Sequence, residues 1–301
     1  MRPEETFVRV ARVLVTGASG QLAASIVQTF ADCEVTALTH AMLDVTDGPS
    51  VQRAVARVRP ELIVNCAAFN LVDEAERRPV DAFAVNAFAV RHLARAAEEC
   101  EAALVHYGSD FVFDGTADRP YDERATPGPR SVYASSKLLG DWLALEIPRS
   151  YVLRVESLFG APAGWTGRRG TLDGIVSGLL EGREVAAFTD RTVSPSYVVD
   201  VAAATRHLVE AGAPAGLYHC VNSGCGTWHE VAVETARVLG VAPRVKPITT
   251  DNVPLAAARP KYCALSNRKL VAAGATMPPW PDALRRWLAP RGRGNPSMKA
   301  I

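Results

Sequence analysis

A tyrosine and a lysine four positions apart, Tyr133 and Lys137, are the pair in this sequence best suited to proton transfer. On a helix, residues at this spacing stand on one face, one turn from each other. A phenol has an ordinary pKa of about 10, and a neighbouring ammonium group favours the phenolate and lowers that pKa. The pair can then give a proton to a carbonyl oxygen, or take one from an alcohol, beside a hydride carrier. Because an ordinary amphipathic helix can carry the same spacing, the rest of the chain must decide.

A serine with a suitable hydroxyl group precedes this pair. Ser109 follows residues 103–107, an apolar run that we predict to be a strand. In a parallel α/β sheet, ligands bind at the carboxyl ends of the strands. An isolated serine at such a position is usually only a cap. With Tyr133 and Lys137 downstream, we instead predict that Ser109 donates a hydrogen bond to a substrate carbonyl.

A glycine turn directly after the first predicted strand favours nucleotide binding. Residues 13–16 form an apolar run, and Gly17 and Gly20 come before a helical pattern over 22–30. Gly17 permits a tight turn. Gly20 lets backbone N–H groups approach a pyrophosphate at the helix N-terminus, where the helix dipole favours an anion. We therefore predict a dinucleotide at this turn.

The end of the second predicted strand bears on the choice of dinucleotide. After the strand over 34–38, the chain has Thr39 and His40, where a dinucleotide fold often places an acid on the ribose 2′-hydroxyl. No carboxylate stands there to repel a 2′-phosphate, so NADPH is permitted. No arginine stands there to bind that phosphate, so the preference between NADPH and NADH stays open.

The elements that must position these residues alternate between strands and helices. This alternation predicts an α/β fold with a doubly wound parallel (Rossmann) sheet and right-handed crossovers. The predicted strands are 13–16, 34–38, 62–68, 103–107 and 151–154, and the predicted helices are 22–30, 49–57, 80–99 and a segment from Ser131 to about 146. From Ser157 the pattern changes, which predicts a smaller, discontinuous C-terminal substrate lobe. The expected ranges are 11–155 for the NAD(P)-binding domain, completed by about 190–222, then 156–189 and 223–290 for the lobe, and 291–301 for a loose tail.

Composition excludes several classes of function. The 301 residues are 48% hydrophobic and 22% charged, with a formal net charge of +1, so we expect neither nucleic acid nor an anionic membrane as partner. No apolar run reaches the ~18 residues of a membrane span, and the first residues lack the apolar core of a signal peptide. The six cysteines are scattered, which is typical of reduced thiols and not of a zinc site. We therefore expect a cytoplasmic protein with no bound metal.

Taken together, the motifs resemble those of the extended short-chain dehydrogenases/reductases and, within them, the dTDP-4-dehydrorhamnose reductase family. The matching segments include VLVTGASGQLA, LDVTD, VNCAAFNLVDEAE, GSDFVFDGT, YASSKLLGD, DRTVSPSYVVDVA, GLYHCVNSG and RPKYCALSNRKL. They occur in the expected order and cover nearly the whole chain. The resemblance implies NAD(P)H-dependent reduction of a nucleotide-linked 4-keto-6-deoxy sugar, with Tyr133 as the general acid.

The resemblance also implies a role for each matching position. The implied catalytic residues are Ser109, Tyr133 and Lys137. The implied cofactor-binding residues are Gly17, Gly20, Gln21, Leu22, Thr39, Asp44, Val45, Ala67, Ala68, Phe69, Tyr133 and Lys137. The implied substrate-binding residues are Asn70, Val72, Ser109, Asp110, Phe111 and Ser157. No metal ligand is implied, and the chain is expected to act alone or as a homodimer.

Departures from the family pattern concern the sugar. Phe111 stands where the family usually has tyrosine, and Ser157, preceded by Glu156, stands where it often has tryptophan. A reductase of another carbonyl compound therefore stays open. So does a non-catalytic NADP-binding subunit resembling the regulatory β-subunit of methionine adenosyltransferase. A sugar dehydratase is disfavoured, because it needs an acid/base pair and Asp110 is followed by Phe111, which cannot take a proton.

Overall fold

A parallel sheet with helices on both faces organises the protein in the computed structural model, which describes residues 10–161, 165, 167 and 170–289. The strands are β1 (Arg12–Thr16), β2 (Glu34–Leu38), β3 (Leu62–Asn65), β4 (Ala103–Ser109), β5 (Ser150–Val155), β6 (Leu158–Phe159), β7 (Val185–Phe188), β8 (Thr192–Val193), β9 (Ser196–Tyr197), β10 (Gly216–His219), β11 (Gly226–Thr227) and β12 (Val245–Ile248). The helices are α1 (Gln21–Thr29), α2 (Gly48–Val58), α3 (Val72–Arg77), α4 (Pro79–Phe83), α5 (Ala89–Glu99), α6 (Val132–Ala144), α7 (Thr171–Leu180), α8 (Val198–Glu210), α9 (Trp228–Leu239), α10 (Arg268–Ala272) and α11 (Trp280–Leu288). Within those residues, no helix combines the length and the apolar character needed to cross a bilayer.

The main sheet has the strand order β2-β1-β3-β4-β5-β10, and its strands pair in parallel. The predicted doubly wound parallel sheet is therefore confirmed. The order reverses between β1 and β3, and ligands of such folds bind where the order reverses, outside the carboxyl ends of the strands. Strand β10, far along the chain, completes the sheet beside β5.

Successive residues of β1 show how the sheet is buried on both sides. Val13 and Val15 pack into one apolar cluster, with residues of α1 and α8 such as Ile26. Leu14 points the other way, into a cluster with Val51 of α2 and residues of α5. A strand covered on both faces reads as a continuous apolar run, which is why the sequence pattern predicted these strands.

A separate apolar cluster lies among the later elements. It is built from α7, α9 and α11, with Leu172, Val231 and Leu284 at its centre, and β7 and β12 pair in parallel beside it. Helix α9 begins with a capping box, in which Thr227 and Glu230 satisfy each other's backbone N–H groups. That this part binds substrate while the main sheet binds a cofactor stays a prediction.

Several predicted boundaries are wrong, for local reasons. The strand predicted over 62–68 ends at Asn65, because its side-chain oxygen accepts the Ala67 N–H at 3.1 Å and turns the chain out of the sheet. Between the strand predicted over 62–68 and the helix predicted over 80–99, the structure adds helix α3, with Asp73 and Glu74 in its first turn; acids in a first turn favour a helix. The helix predicted over 80–99 is interrupted by a π-helical segment, Ala84–Phe88. Helix α8 begins at Val198. The predicted tail at 291–301 and part of the loop at 164–170 lie outside the described residues.

Candidate active site

A cleft of about 780 Å³ opens at the carboxyl ends of β1, β3, β4 and β5. Its volume is that of a small-molecule site. The predicted site residues that line it are Gly20, Gln21, Leu22, Ala67, Ala68, Asn70, Val72, Ser109, Asp110, Phe111, Tyr133, Lys137 and Ser157. The predicted site residues that lie outside its lining are Gly17, Thr39, Asp44, Val45 and Phe69. The fold therefore gathers residues from distant segments at one opening.

The glycine turn forms one end of the cleft. Gly17 has φ +64°, a left-handed conformation, and a Cβ there would lie 2.6 Å from the backbone nitrogen of Ala67. Only glycine fits this close approach without strain. Helix α1 begins directly after Gly20 with no side-chain cap, and Gln21 and Leu22 of its first turn line the cleft. The turn and the helix N-terminus together make a suitable cradle for a pyrophosphate.

The remaining predicted cofactor residues have local roles in this structure. Backbone N–H groups of residues 42 and 43 donate to the Thr39 carbonyl oxygen. The Asp44 carboxylate accepts hydrogen bonds from the backbone and hydroxyl of Thr46, which lower its pKa. Val45 is buried in the core. Phe69 packs into the small apolar cluster that contains Tyr133.

Ser109, Tyr133 and Lys137 meet inside the cleft. Ser109 is the last residue of β4, and Ser131 caps α6 by accepting the Ala134 N–H at 3.1 Å, which places Tyr133 in the first turn. The Ser109 hydroxyl lies close enough to the Tyr133 phenol to lower the pKa of that phenol. One turn along α6, the Lys137 ammonium donates to the carbonyl oxygen of Tyr107 at 2.5 Å. The Ser109 and Tyr133 hydroxyl groups thus lie close together, as their predicted roles at one carbonyl oxygen require.

Burial dominates the ionisation of this trio. The pKa of Tyr133 is raised, chiefly because burial disfavours the phenolate. The expectation that Lys137 lowers this pKa is wrong for this structure, since burial is the stronger influence and the ammonium is directed at the Tyr107 carbonyl. Burial also lowers the pKa of Lys137 to about 8, against the opposing charge of Asp141. At neutral pH the tyrosine is therefore protonated, the state that a proton donor needs.

Two sets of buried hydrogen bonds connect α6 to its neighbours, one through Asn86 and one through Asp141 of α6 itself. Asn86, in the π-helical segment, accepts the Phe69 N–H at 2.8 Å and donates to the Phe69 carbonyl at 3.1 Å and to Ser136 at 3.0 Å. Asp141 accepts from Arg154 of β5 at 2.9 Å. Since π-helical segments are frequent at functional sites, we infer that this one holds the loop after β3 against the helix that carries Tyr133.

A buried acid that sequence reasoning missed also lines the cleft. Glu156 lines the cleft directly after β5 and is 2% exposed. A carboxyl oxygen of Glu156, a carboxyl oxygen of Asp110 and the Cys263 sulfur all lie within 4.8 Å of one another. The sequence held only part of the signal: an acid follows each of two predicted strands, but that these strands are neighbours is known only from the fold.

Aromatic and cationic side chains also line the cleft. The Phe111 ring meets the Tyr133 ring edge-on, with centroids 5.6 Å apart. The guanidinium groups of Arg191 and Arg259 each lie 5.9 Å from the centre of the Phe111 ring. Next to Glu156, Ser157 has φ +46°, which is uncommon for a residue other than glycine. The cleft therefore contains a turn suited to an anion, a protonated tyrosine and a group of polar side chains.

Comparison with known proteins places this geometry in a family. The family model described as RmlD substrate binding domain matches residues 11–292. A dTDP-4-dehydrorhamnose reductase of Streptomyces griseus is 38% identical over 296 residues, covering 95% of this chain and 94% of the relative. A dTDP-4-keto-6-deoxy-D-glucose reductase of Streptomyces niveus is 34% identical over 295 residues, covering 96% and 98%. The crystal structure of dTDP-4-dehydrorhamnose reductase from Bacillus anthracis in complex with NADP superposes with a TM-score of 0.87 at 29% identity, covering 94% and 100%.

Proposed function

Because this chain belongs to the dTDP-4-dehydrorhamnose reductase family, we propose that it reduces the ketone of a dTDP-linked 4-keto-6-deoxy sugar with NADPH, using Tyr133 as the general acid. The observation that carries the proposal is the meeting of Ser109, Tyr133 and Lys137 in a cleft that ends at a glycine turn. The family relatives act on dTDP-linked keto sugars by name. The identity of the sugar and the role of each side chain are the parts that need testing.

The cofactor fits the residues at the glycine turn. The close approach of Gly17 to Ala67 leaves no room for a side chain, and the uncapped start of α1 offers backbone N–H groups to the pyrophosphate. Ala67 and Ala68, small residues in the wall of the cleft, leave space beside this turn. Bound NADPH supplies a hydride to the ketone carbon.

The protein's own groups act on the ketone oxygen. Ser109 hydrogen-bonds that oxygen, where negative charge grows in the transition state. Tyr133, kept protonated by burial, gives its proton to the same oxygen, which becomes the product hydroxyl. Lys137 is buried one turn away, and we assign it to holding the nicotinamide ribose and to stabilising the tyrosinate that the proton transfer leaves behind.

The test is Tyr133→Phe, which removes one hydroxyl and keeps the ring that packs against Phe111. We expect kcat for reduction of dTDP-4-keto-6-deoxyglucose to fall by about 10²- to 10⁴-fold, with NADPH affinity, measured by fluorescence titration, unchanged. The matched control is Tyr151→Phe, which removes a buried hydroxyl bonded to the Ala213 carbonyl, and it should keep wild-type kcat. Normal turnover by the Tyr133 variant with cofactor bound would show that the proton comes from another group.

A further inference from the structure

Two carboxyl groups become neighbours because of the register of β4 and β5. In that parallel pairing, Ser109 lies opposite Val155. The next residues along the two strands are Asp110 and Glu156, and both carboxyl groups are buried, with residue exposures of 4% and 2%. In the sequence, Asp110 is followed by a phenylalanine and not by a second acid. In the structure, the second acid comes from the adjacent strand.

One oxygen of Glu156 has no hydrogen bond within the described residues. Its Oε2 accepts the backbone N–H of Ser194 at 2.8 Å, whereas its Oε1 is buried with no partner there. A buried acceptor without a donor costs free energy, so such groups are usually satisfied by a ligand or by water. Because Glu156 lines the cleft, a ligand in the cleft is the natural source of the missing donor.

The pair can both accept and donate hydrogen bonds. Two carboxyl groups this close in a buried site do not both ionise at neutral pH. Burial raises the pKa of Asp110 to about 6, and burial together with the Asp110 charge raises the pKa of Glu156 well above its ordinary value. One group is then ionised and the other protonated. A hydroxyl group, which donates one hydrogen bond and accepts others, matches this arrangement.

The pair also lies beside the place assigned to the ketone. Ser109 Oγ, which we assign to the ketone oxygen, donates to Asp110 Oδ1 at 3.1 Å. A group bound by Asp110 and Glu156 therefore lies about one hydrogen bond beyond the ketone oxygen. On a sugar ring with a 4-ketone and a 6-methyl group, the hydroxyl nearest to that oxygen is the one on carbon 3.

We propose that Glu156, together with Asp110, binds the hydroxyl on the ring carbon next to the reacting ketone, and that Glu156 thereby determines specificity for keto sugars that carry this hydroxyl. This inference rests on the proposed function, because it assumes that a keto sugar occupies the cleft. Arg191 lies close enough for its charge to lower the pKa of both carboxyl groups. The pair thus already has a cation nearby, which favours a neutral hydroxyl over a metal ion as its ligand.

The experiment compares two ligands that differ in one hydroxyl. Isothermal titration of the NADP⁺-loaded protein with dTDP-4-keto-6-deoxyglucose and with its 3-deoxy counterpart measures affinity without turnover, because the oxidised cofactor cannot reduce the ketone. The wild type should bind the hydroxylated ligand about 10- to 100-fold more tightly. In Glu156→Leu this ratio should fall to about one.

Two further variants make the comparison robust. Glu156→Gln keeps the side-chain shape and an oxygen for the Ser194 N–H, and its ratio should fall at least several-fold even if the leucine variant does not fold. Glu123→Gln is the matched control, because Glu123 also accepts a backbone N–H, that of His219 at 2.9 Å, and lies outside the lining of the cleft. Its ratio should equal that of the wild type.

Each contrary outcome has a separate meaning. If the wild type binds both ligands equally well, or if both Glu156 variants keep the wild-type ratio, the inference is overturned and the proposed function stands. If a metal chelator abolishes the discrimination of the wild type, the pair holds a metal ion and the inference is also overturned. If neither ligand binds to protein that has bound NADP⁺, the proposed function itself is wrong, and the inference falls with it.

Discussion

Replacing the buried acid Glu156 by glutamine should change how the free energy of unfolding depends on pH. Burial and the neighbouring Asp110 raise the pKa of Glu156 well above its ordinary value of 4.5. In the unfolded chain the carboxyl ionises near that ordinary value, so above it folding takes up one proton. Stability contributed by a carboxyl with a raised pKa is full at low pH and is lost as pH rises. Glutamine has no proton to take up, and the variant should not show this loss.

The size of the effect follows from one retained proton. A proton taken up on folding changes the free energy of unfolding by about 1.4 kcal/mol per pH unit. Asp110, with a pKa of about 6, contributes mainly below pH 6. As pH rises above 6, the stability of Glu156→Gln should therefore rise relative to the wild type, by at most about 1.4 kcal/mol per pH unit. A constant offset from the altered hydrogen bond to Ser194 does not affect this difference.

The assay is urea unfolding of the cofactor-free proteins at pH 6, 7 and 8, with the free energy of unfolding compared at each pH. The groups that face Glu156, namely Asp110, Cys263 and Arg191, are present in both proteins. If the Glu156→Gln curve runs parallel to that of the wild type, Glu156 is ionised in the folded protein, and the reasoning from the shared proton is refuted.

Three more variants test other parts of the structure. Gly17→Ala would place a methyl group 2.6 Å from the Ala67 backbone at φ +64°, so unfolding should become easier by about 1–3 kcal/mol and a fluorescence titration should show weaker NADPH binding; unchanged affinity would count against the proposed cradle. Arg154→Met leaves the buried Asp141 carboxylate without its cation and should cost about 3–5 kcal/mol in urea unfolding, much of it recovered when Asp141→Leu is added; a loss under 1 kcal/mol would contradict a stabilising ion pair. Lys137 has a pKa of about 8, and the role that we assign to it needs the protonated form. Wild-type kcat should therefore decline above about pH 8. If the same decline persists in Lys137→Met, another group causes it.

Sequence alone predicted the sheet because each strand buried on both faces is a short apolar run, and because the turn at Gly17 has a direct steric cause. It also named Ser109, Tyr133 and Lys137, since spacing on a helix and position at a strand end are local properties. The pKa of Tyr133 could not be predicted from the sequence, because it depends on how much of the fold covers the phenol. The position of Glu156 beside Asp110 could not be predicted for the same reason, because it depends on which strand lies beside β5.

That dependence on register has a consequence for how substrate choice can change in this fold. The proposed hydride chemistry uses the end of β4 and the first turns of α6, whereas the residue that follows β5 reaches the same cleft from the neighbouring strand. A substitution at position 156 therefore alters the group facing Asp110 while Ser109 and Tyr133 keep their own supports, the β4 backbone and the Ser131 cap. We therefore expect specificity for a ring hydroxyl to vary with the residue at that single position. Exchanging Glu156 for serine should accordingly relax the choice between 3-hydroxy and 3-deoxy sugars, which the ratio of kcat/KM for the two sugars measures; a ratio equal to that of the wild type would contradict this role of position 156.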